Sequence, residues 1–206
     1  MKPTVERVVF LPGAGGAAEF WHPVGRRLPS RWEKRYVSWP GLGGEPTDPA
    51  VKGFDDLASL VEKHLTIPVQ LVAQSMGAVV AIRVALQHPE TVRRLVLVAT
   101  SGGLDLAGLG VNDWRQDYRR EYPHAATWIT DTHADYTRDL ATIATPTVLV
   151  SGDDDPTSPV AVGQRLLALM PNATLEVVAG GRHDLALTHA PLLARLITRA
   201  GLEYGW

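Results

Sequence analysis

Short, nearly continuous runs of Val, Leu and Ile alternate with amphipathic segments along the whole chain, and this rhythm restricts the fold more than any other feature. The runs are Val5–Leu11, Arg35–Trp39, Val69–Ala73, Leu95–Ala99, Thr147–Ser151 and Leu175–Val178. Continuous apolar runs, rather than alternating ones, mark parallel strands covered on both faces. Between them lie predicted helices at Glu19–Leu28, Phe54–Leu65, Met76–His88, Pro159–Met170 and Leu185–Arg199, with Pro89 and Pro171 just beyond two of the ends. The expectation is an α/β chain: a doubly wound, mainly parallel sheet of about six strands. With 206 residues, it is expected to form one domain over 1–206 with a closed core.

One stretch breaks the rhythm. Residues 104–144 are too many for a simple crossover and predict a small helical lid insertion. They carry Trp114, Tyr118, Tyr122, Trp128 and Tyr136, rings that either cover a small core of the insertion's own or face a substrate. Trp21, Trp114 and Trp128 are the candidate substrate contacts.

Composition narrows the chemistry. The chain has no Cys, which removes disulfides, a thiol nucleophile, thiolate zinc sites and iron–sulfur ligation. His64, His88 and His189 read as structural, and no His pair has the zinc-protease spacing, so neither metal nor cofactor is expected. A net charge of −2 without a basic stripe gives no support for a nucleic-acid or anionic-membrane partner. No apolar run reaches the roughly 18–20 residues of a membrane helix. Val8–Ala18, broken by Pro12 and several glycines, reads as a strand and a glycine loop rather than a signal peptide, so a cytoplasmic location is the default expectation.

The segment PVQLVAQSMGAVVAIRVALQHP carries the sharpest signal. A buried strand runs into Ala73-Gln74-Ser75-Met76-Gly77 and a helix starts at once. A serine in such a turn is pushed out at the sheet edge and needs small residues two before and two after it. Ala99-Thr100-Ser101-Gly102-Gly103 matches the same pattern, but no amphipathic helix follows Ser101 directly. Ser75 is therefore the candidate nucleophile. It needs a base, and the base an orienting acid. Asp153, Asp154 and Asp155 follow the fifth run, and His183 lies in a glycine-rich loop after the sixth, both at carboxyl ends of strands where sites assemble. At least one of the three aspartates is expected only to shape a turn.

The loop Pro12-Gly13-Ala14-Gly15-Gly16 admits two uses. Gly13, Gly15 and Ala18 fit a dinucleotide fingerprint, which would require an acidic residue closing the second strand. Ser38 and Trp39 stand there instead. In a hydrolase the same loop supplies an oxyanion donor, the N–H of Ala14, beside that of Met76.

Taken together, LPGAGG, WPGLG, AQSMGAVVA, ETVRRLVLVATSGG, SGDDDPTSP and GGRHD resemble the α/β-hydrolase superfamily over nearly the whole chain. The resemblance implies Ser75 as nucleophile, His183 as base and Asp155 as acid, since Gly152-x-x-Asp155-Pro156 fits the family's acid loop. It implies a sheet lacking the family's first two strands, and an acyl-enzyme reaction on a small ester. The chain departs from the family pattern at Ala73 (usually Gly), Pro12 (usually His) and Ser38 (usually an acid). PGAGG paired with SMGA is also similar to type II thioesterases, which keeps an acyl thioester substrate open, and a non-catalytic binding protein on the same fold is the other alternative. Arg115, Arg119 and Arg120 could dock an anionic carrier, or form a solvated face.

Overall fold

The computed structural model describes residues 6–203. Six strands, β1 (Arg7–Leu11), β2 (Glu33–Tyr36), β3 (Val69–Gln74), β4 (Val92–Val98), β5 (Thr147–Gly152) and β6 (Ala173–Val178), form one sheet in the order β2-β1-β3-β4-β5-β6. Every pairing is parallel. Residue 5, where the sequence starts the first strand, lies outside the described residues. The second strand sits earlier than the apolar pattern suggests. As an edge strand, with the half-exposed sequence EKRY, it needs no continuous apolar run.

Alternate strand residues build two cores. Val9 and Leu11, Leu71 and Ala73, Leu95 and Leu97, and Leu149 face one side. They pack against α2 (Phe54–Glu62), α3 (Met76–Gln87) and α6 (Val160–Leu169) through residues such as Leu57, Val61, Val80, Val162 and Leu166. Val8, Phe10, Val72, Val96, Val98 and Val150 face the other. There they meet α1 (His22–Gly25), α7 (Leu185–Thr188) and α8 (Ala190–Glu203) through Val24, Leu185, Leu193 and Ile197. Among the described residues, no helix is long and apolar enough to cross a membrane.

Two predicted helices are divided. Glu19–Leu28 becomes a 3-10 turn over Ala18–Trp21 followed by the short α1. The last helix breaks at His189 and restarts at Ala190, with Pro191 in its first turn, where the missing N–H costs no hydrogen bond. Within 104–144 lie α4 (Arg115–Glu121), α5 (Trp128–Asp131) and a 3-10 turn over Leu140–Thr142. This cap has no core of its own: Leu104, Tyr118, Ile129 and Leu140 join the core on the α2–α3–α6 face.

Strand order reverses between β1 and β3, since the chain winds outward to β2 and then returns past β1. The carboxyl ends of these two strands therefore open onto a crevice, the place where ligands bind in open α/β sheets.

Candidate active site

The turn after β3 holds Ser75 at φ 52° and ψ −123°, outside the regions an L residue prefers. Such strain persists only where the surroundings fix it. The Ser75 N–H donates to Val98 O (2.9 Å), and its carbonyl accepts from Thr100 Oγ1 (2.7 Å) and Ala78 N (3.1 Å). Small neighbours are obligatory. A Cβ on Gly77 would sit 2.1 Å from Pro12 O and 2.8 Å from Leu11 O, and one on Gly13 2.3 Å from Gln74 Oε1. The elbow and the loop after β1 thus touch backbone to backbone. Gly77→Ala is expected to cost about 2–3 kcal/mol, because carbonyl oxygens cannot step aside as a flexible side chain can. A fall of about 5–10 °C in the melting midpoint would register it.

Three side chains from three loops converge at the crevice. His183 Nε2 lies 3.0 Å from Ser75 Oγ, and His183 Nδ1 lies 2.8 Å from Asp155 Oδ2. Asp155 is 3% exposed, and its Oδ1 accepts from the N–H of Thr157 (2.9 Å) and of Ser158 (3.1 Å). Burial pushes its carboxyl up, but the His183 ring and these two N–H groups outweigh burial and hold it below the usual carboxylate range. The neighbouring carboxylates do other work. Asp153 Oδ1 accepts from Gly180 N at 2.7 Å and ties the acid loop to the histidine loop. Asp154 is exposed and lies 3.8 Å from Arg182.

The alternative serine sits elsewhere. Ser101 Oγ accepts from Gly103 N at 3.3 Å within a turn, and borders a small recess of about 120 Å³ that also touches Ser75. Ser75 and His183 open into a larger cavity of about 560 Å³ lined by Ala14, Met76, Phe20, Trp114, Tyr118 and Tyr122, among others. The N–H groups of Ala14 and Met76 donate to no backbone carbonyl among the described residues. Both residues, one at the head of α3 and one on the facing loop, line this cavity beside Ser75. Among the described residues, no cluster of His, Asp and Glu is placed to hold a metal ion.

The three tryptophans fare differently. Trp114 lines the cavity, half-buried. Trp21 does not. It is fully buried, and its Nε1 donates to Leu11 O at 2.9 Å, so the indole fixes the end of β1 while its neighbour Phe20 turns to the cavity. Trp128 borders neither cavity nor recess and packs edge-on against Phe54, with ring centroids 5.8 Å apart. The cap arginines face acids of the cap itself: Arg115 pairs with Asp113, Arg119 with Asp131 and Arg120 with Asp117. Sequence reasoning missed Gln74, whose Nε2 donates to His183 O (3.2 Å), and, for Tyr118, already one of the rings that could face a substrate, missed the bond of its hydroxyl to the loop after β1. The spacing of Trp114, Tyr118 and Tyr122 by four residues was the available signal for the second.

Known proteins share this arrangement of strands and helices. MenH from S. aureus superposes with a TM-score of 0.78 at 17% identity, over 95% of this chain and 92% of that one. Pimeloyl-[acyl-carrier protein] methyl ester esterase of Neisseria meningitidis is 26% identical over 95% of this chain and 93% of its own length. Polyketide synthase ThaQ of Burkholderia thailandensis is 29% identical over 89% of this chain, which spans only 11% of that protein. The model of the Alpha/beta hydrolase family matches residues 8–126, a span running from β1 through the elbow and into the cap. On that match, joined to the all-parallel sheet and the strained serine turn, the chain belongs to the alpha/beta hydrolase family.

Proposed function

We propose that this hydrolase is a serine esterase that cleaves a small carboxylic ester through an acyl-enzyme. The observation that carries the proposal is the unbroken line from Ser75 Oγ to His183 Nε2 (3.0 Å) and from His183 Nδ1 to Asp155 Oδ2 (2.8 Å). Ser75 Oγ attacks the ester carbon while His183 Nε2 takes its proton, and Asp155 holds the ring with Nδ1–H toward the carboxylate. The N–H groups of Ala14 and Met76 receive the developing oxyanion. Nε2–H then protonates the departing alcohol, and water repeats the sequence to release the acid and restore the serine. The substrate is a small molecule, with no nucleic-acid or membrane partner, handled in the cytoplasm.

An acyl thioester is the second substrate class, favoured by the likeness to a polyketide synthase segment. A fluorophosphonate probe followed by a substrate panel tests both. One covalent adduct on Ser75 is expected, with p-nitrophenyl esters of short acids turned over at higher kcat/KM than the matching acyl-CoA thioesters. The opposite preference would make the chain a thioesterase, and no adduct would leave a binding protein.

A further inference from the structure

Tyr118 enters the site by a route the reaction scheme leaves unused. It is the middle of three rings that line the cavity, with Trp114, which precedes α4, 5.4 Å away at 83° and Tyr122, which follows it, 5.1 Å away. Its hydroxyl donates to Ala14 O at 2.9 Å and accepts from Gly43 N at 2.9 Å. One phenol thus spans the loops that follow β1 and β2. These loops meet without intervening side chains: a Cβ on Gly43 would lie 2.0 Å from Gly15 O, and one on Gly16 2.5 Å from Leu42 O.

Neighbouring carbonyls are held within the loop or from the body of the fold: Gly16 N donates to Gly13 O at 3.1 Å and Ala17 N to Gly15 O at 2.9 Å. Trp21 Nε1 donates to Leu11 O at 2.9 Å, and Trp39 Nε1 to Pro12 O at 2.7 Å. Ala14 O alone of these is held from the cap. Its bond matters because the N–H of the same residue is the oxyanion donor. The C=O of Ala14 belongs to the peptide after its N–H, so the Tyr118 bond fixes the residue from its C-terminal side, while Gly16 N holds Gly13 O, the carbonyl of the donor's own peptide. Turning the Ala14 N–H away then strains a part-buried hydrogen bond with a net contribution of about 1 kcal/mol. Burial pushes the Tyr118 hydroxyl up, against the pull of the Gly43 N–H, so the phenol keeps its proton and remains a donor.

We propose that Tyr118 is a positioning residue for the oxyanion pocket: it aims the N–H of Ala14 and couples the seating of substrate against the cap rings to stabilisation of the oxyanion. The proposal rests on Ser75 being the nucleophile.

Tyr118→Phe keeps the ring and removes both hydrogen bonds. On a short p-nitrophenyl ester, kcat should fall roughly 10- to 100-fold with KM within about twofold, as expected for a misaimed rather than an absent donor. Affinity for the matching trifluoromethyl ketone, whose hemiketal oxygen occupies the same pocket, should fall by the same factor as kcat/KM. Amide exchange over residues 13–17 should quicken. An unchanged kcat and ketone affinity, or a loss confined to KM, overturns the proposal. A variant too unstable to assay moves the test to the wild-type chain. There, saturating trifluoromethyl ketone should slow exchange in 13–17 and in 114–122 together, and protection confined to 13–17 overturns the coupling. If the wild-type chain takes no fluorophosphonate on Ser75, the esterase and the positioning role fall together. If it does, and Tyr118→Phe behaves as wild type, only the positioning role falls.

Discussion

Ser75→Ala is expected to lower ester turnover by roughly 10⁴-fold or more while leaving the fold intact. The fold should survive because the strain at φ 52° belongs to the backbone and to any Cβ, and alanine carries the same Cβ as serine. What disappears is the Oγ and its 3.0 Å contact to His183 Nε2, a hydrogen bond with a net contribution of about 1 kcal/mol to stability. Residual activity should reflect the oxyanion donors and binding alone, with water as the nucleophile. The same change at Ser101, which matches the same sequence pattern, should cost far less, since its hydroxyl only closes a turn on Gly103 N. Rates measured on purified variants with matched circular dichroism decide the matter. A Ser75→Ala chain that keeps most of its turnover removes the nucleophile from the scheme.

The contrast between the two serines shows how far a local pattern reaches. Both follow a buried strand, and Ala99 even shares the positive φ, at 47°. Only the helix that begins at Met76, a feature of the following twelve residues, separates them. The central strands β1, β3, β4 and β5 were legible for the same kind of reason: burial on both faces writes a continuous apolar run. The edge strand β2 and the divided first and last helices were not, because edges and helix breaks depend on what lies alongside. Phe20 and Trp21 make the point for the site. Adjacent rings in a 3-10 turn point in different directions, and nothing local says that Leu11 O awaits the indole of Trp21. The cap was legible as an interruption but not as a partner. Tyr118 meets Ala14 across 104 positions of chain, and only the fold brings them together.

Asp155→Asn should be nearly as damaging as loss of the serine, with ester turnover falling by about 10³–10⁴-fold, whereas Asp153→Asn and Asp154→Asn should stay within a few-fold of wild type. The three residues are consecutive and chemically identical, so the difference must come from placement. Thr157 and Ser158 present N–H groups to Oδ1 of residue 155, which forces an asparagine there to turn its carbonyl toward them and its NH₂ toward His183. An amide donor facing Nδ1 demands an acceptor, so the ring proton moves to Nε2, and Nε2 can no longer receive the proton of Ser75. At position 153 the asparagine carbonyl can still accept from Gly180 N, and the exposed side chain at 154 has little to lose. The change should also show in acid unfolding. A carboxyl held below its ordinary range stabilises the fold at pH values above that range, and the stabilisation fades as pH falls through the depressed folded value. Removing the carboxylate should therefore flatten the acid limb of the stability curve, an effect readable by urea titration at several pH values below about 5. Equal and mild losses at 153, 154 and 155 would mean that the run only shapes a turn and that the imidazole is oriented by some other group.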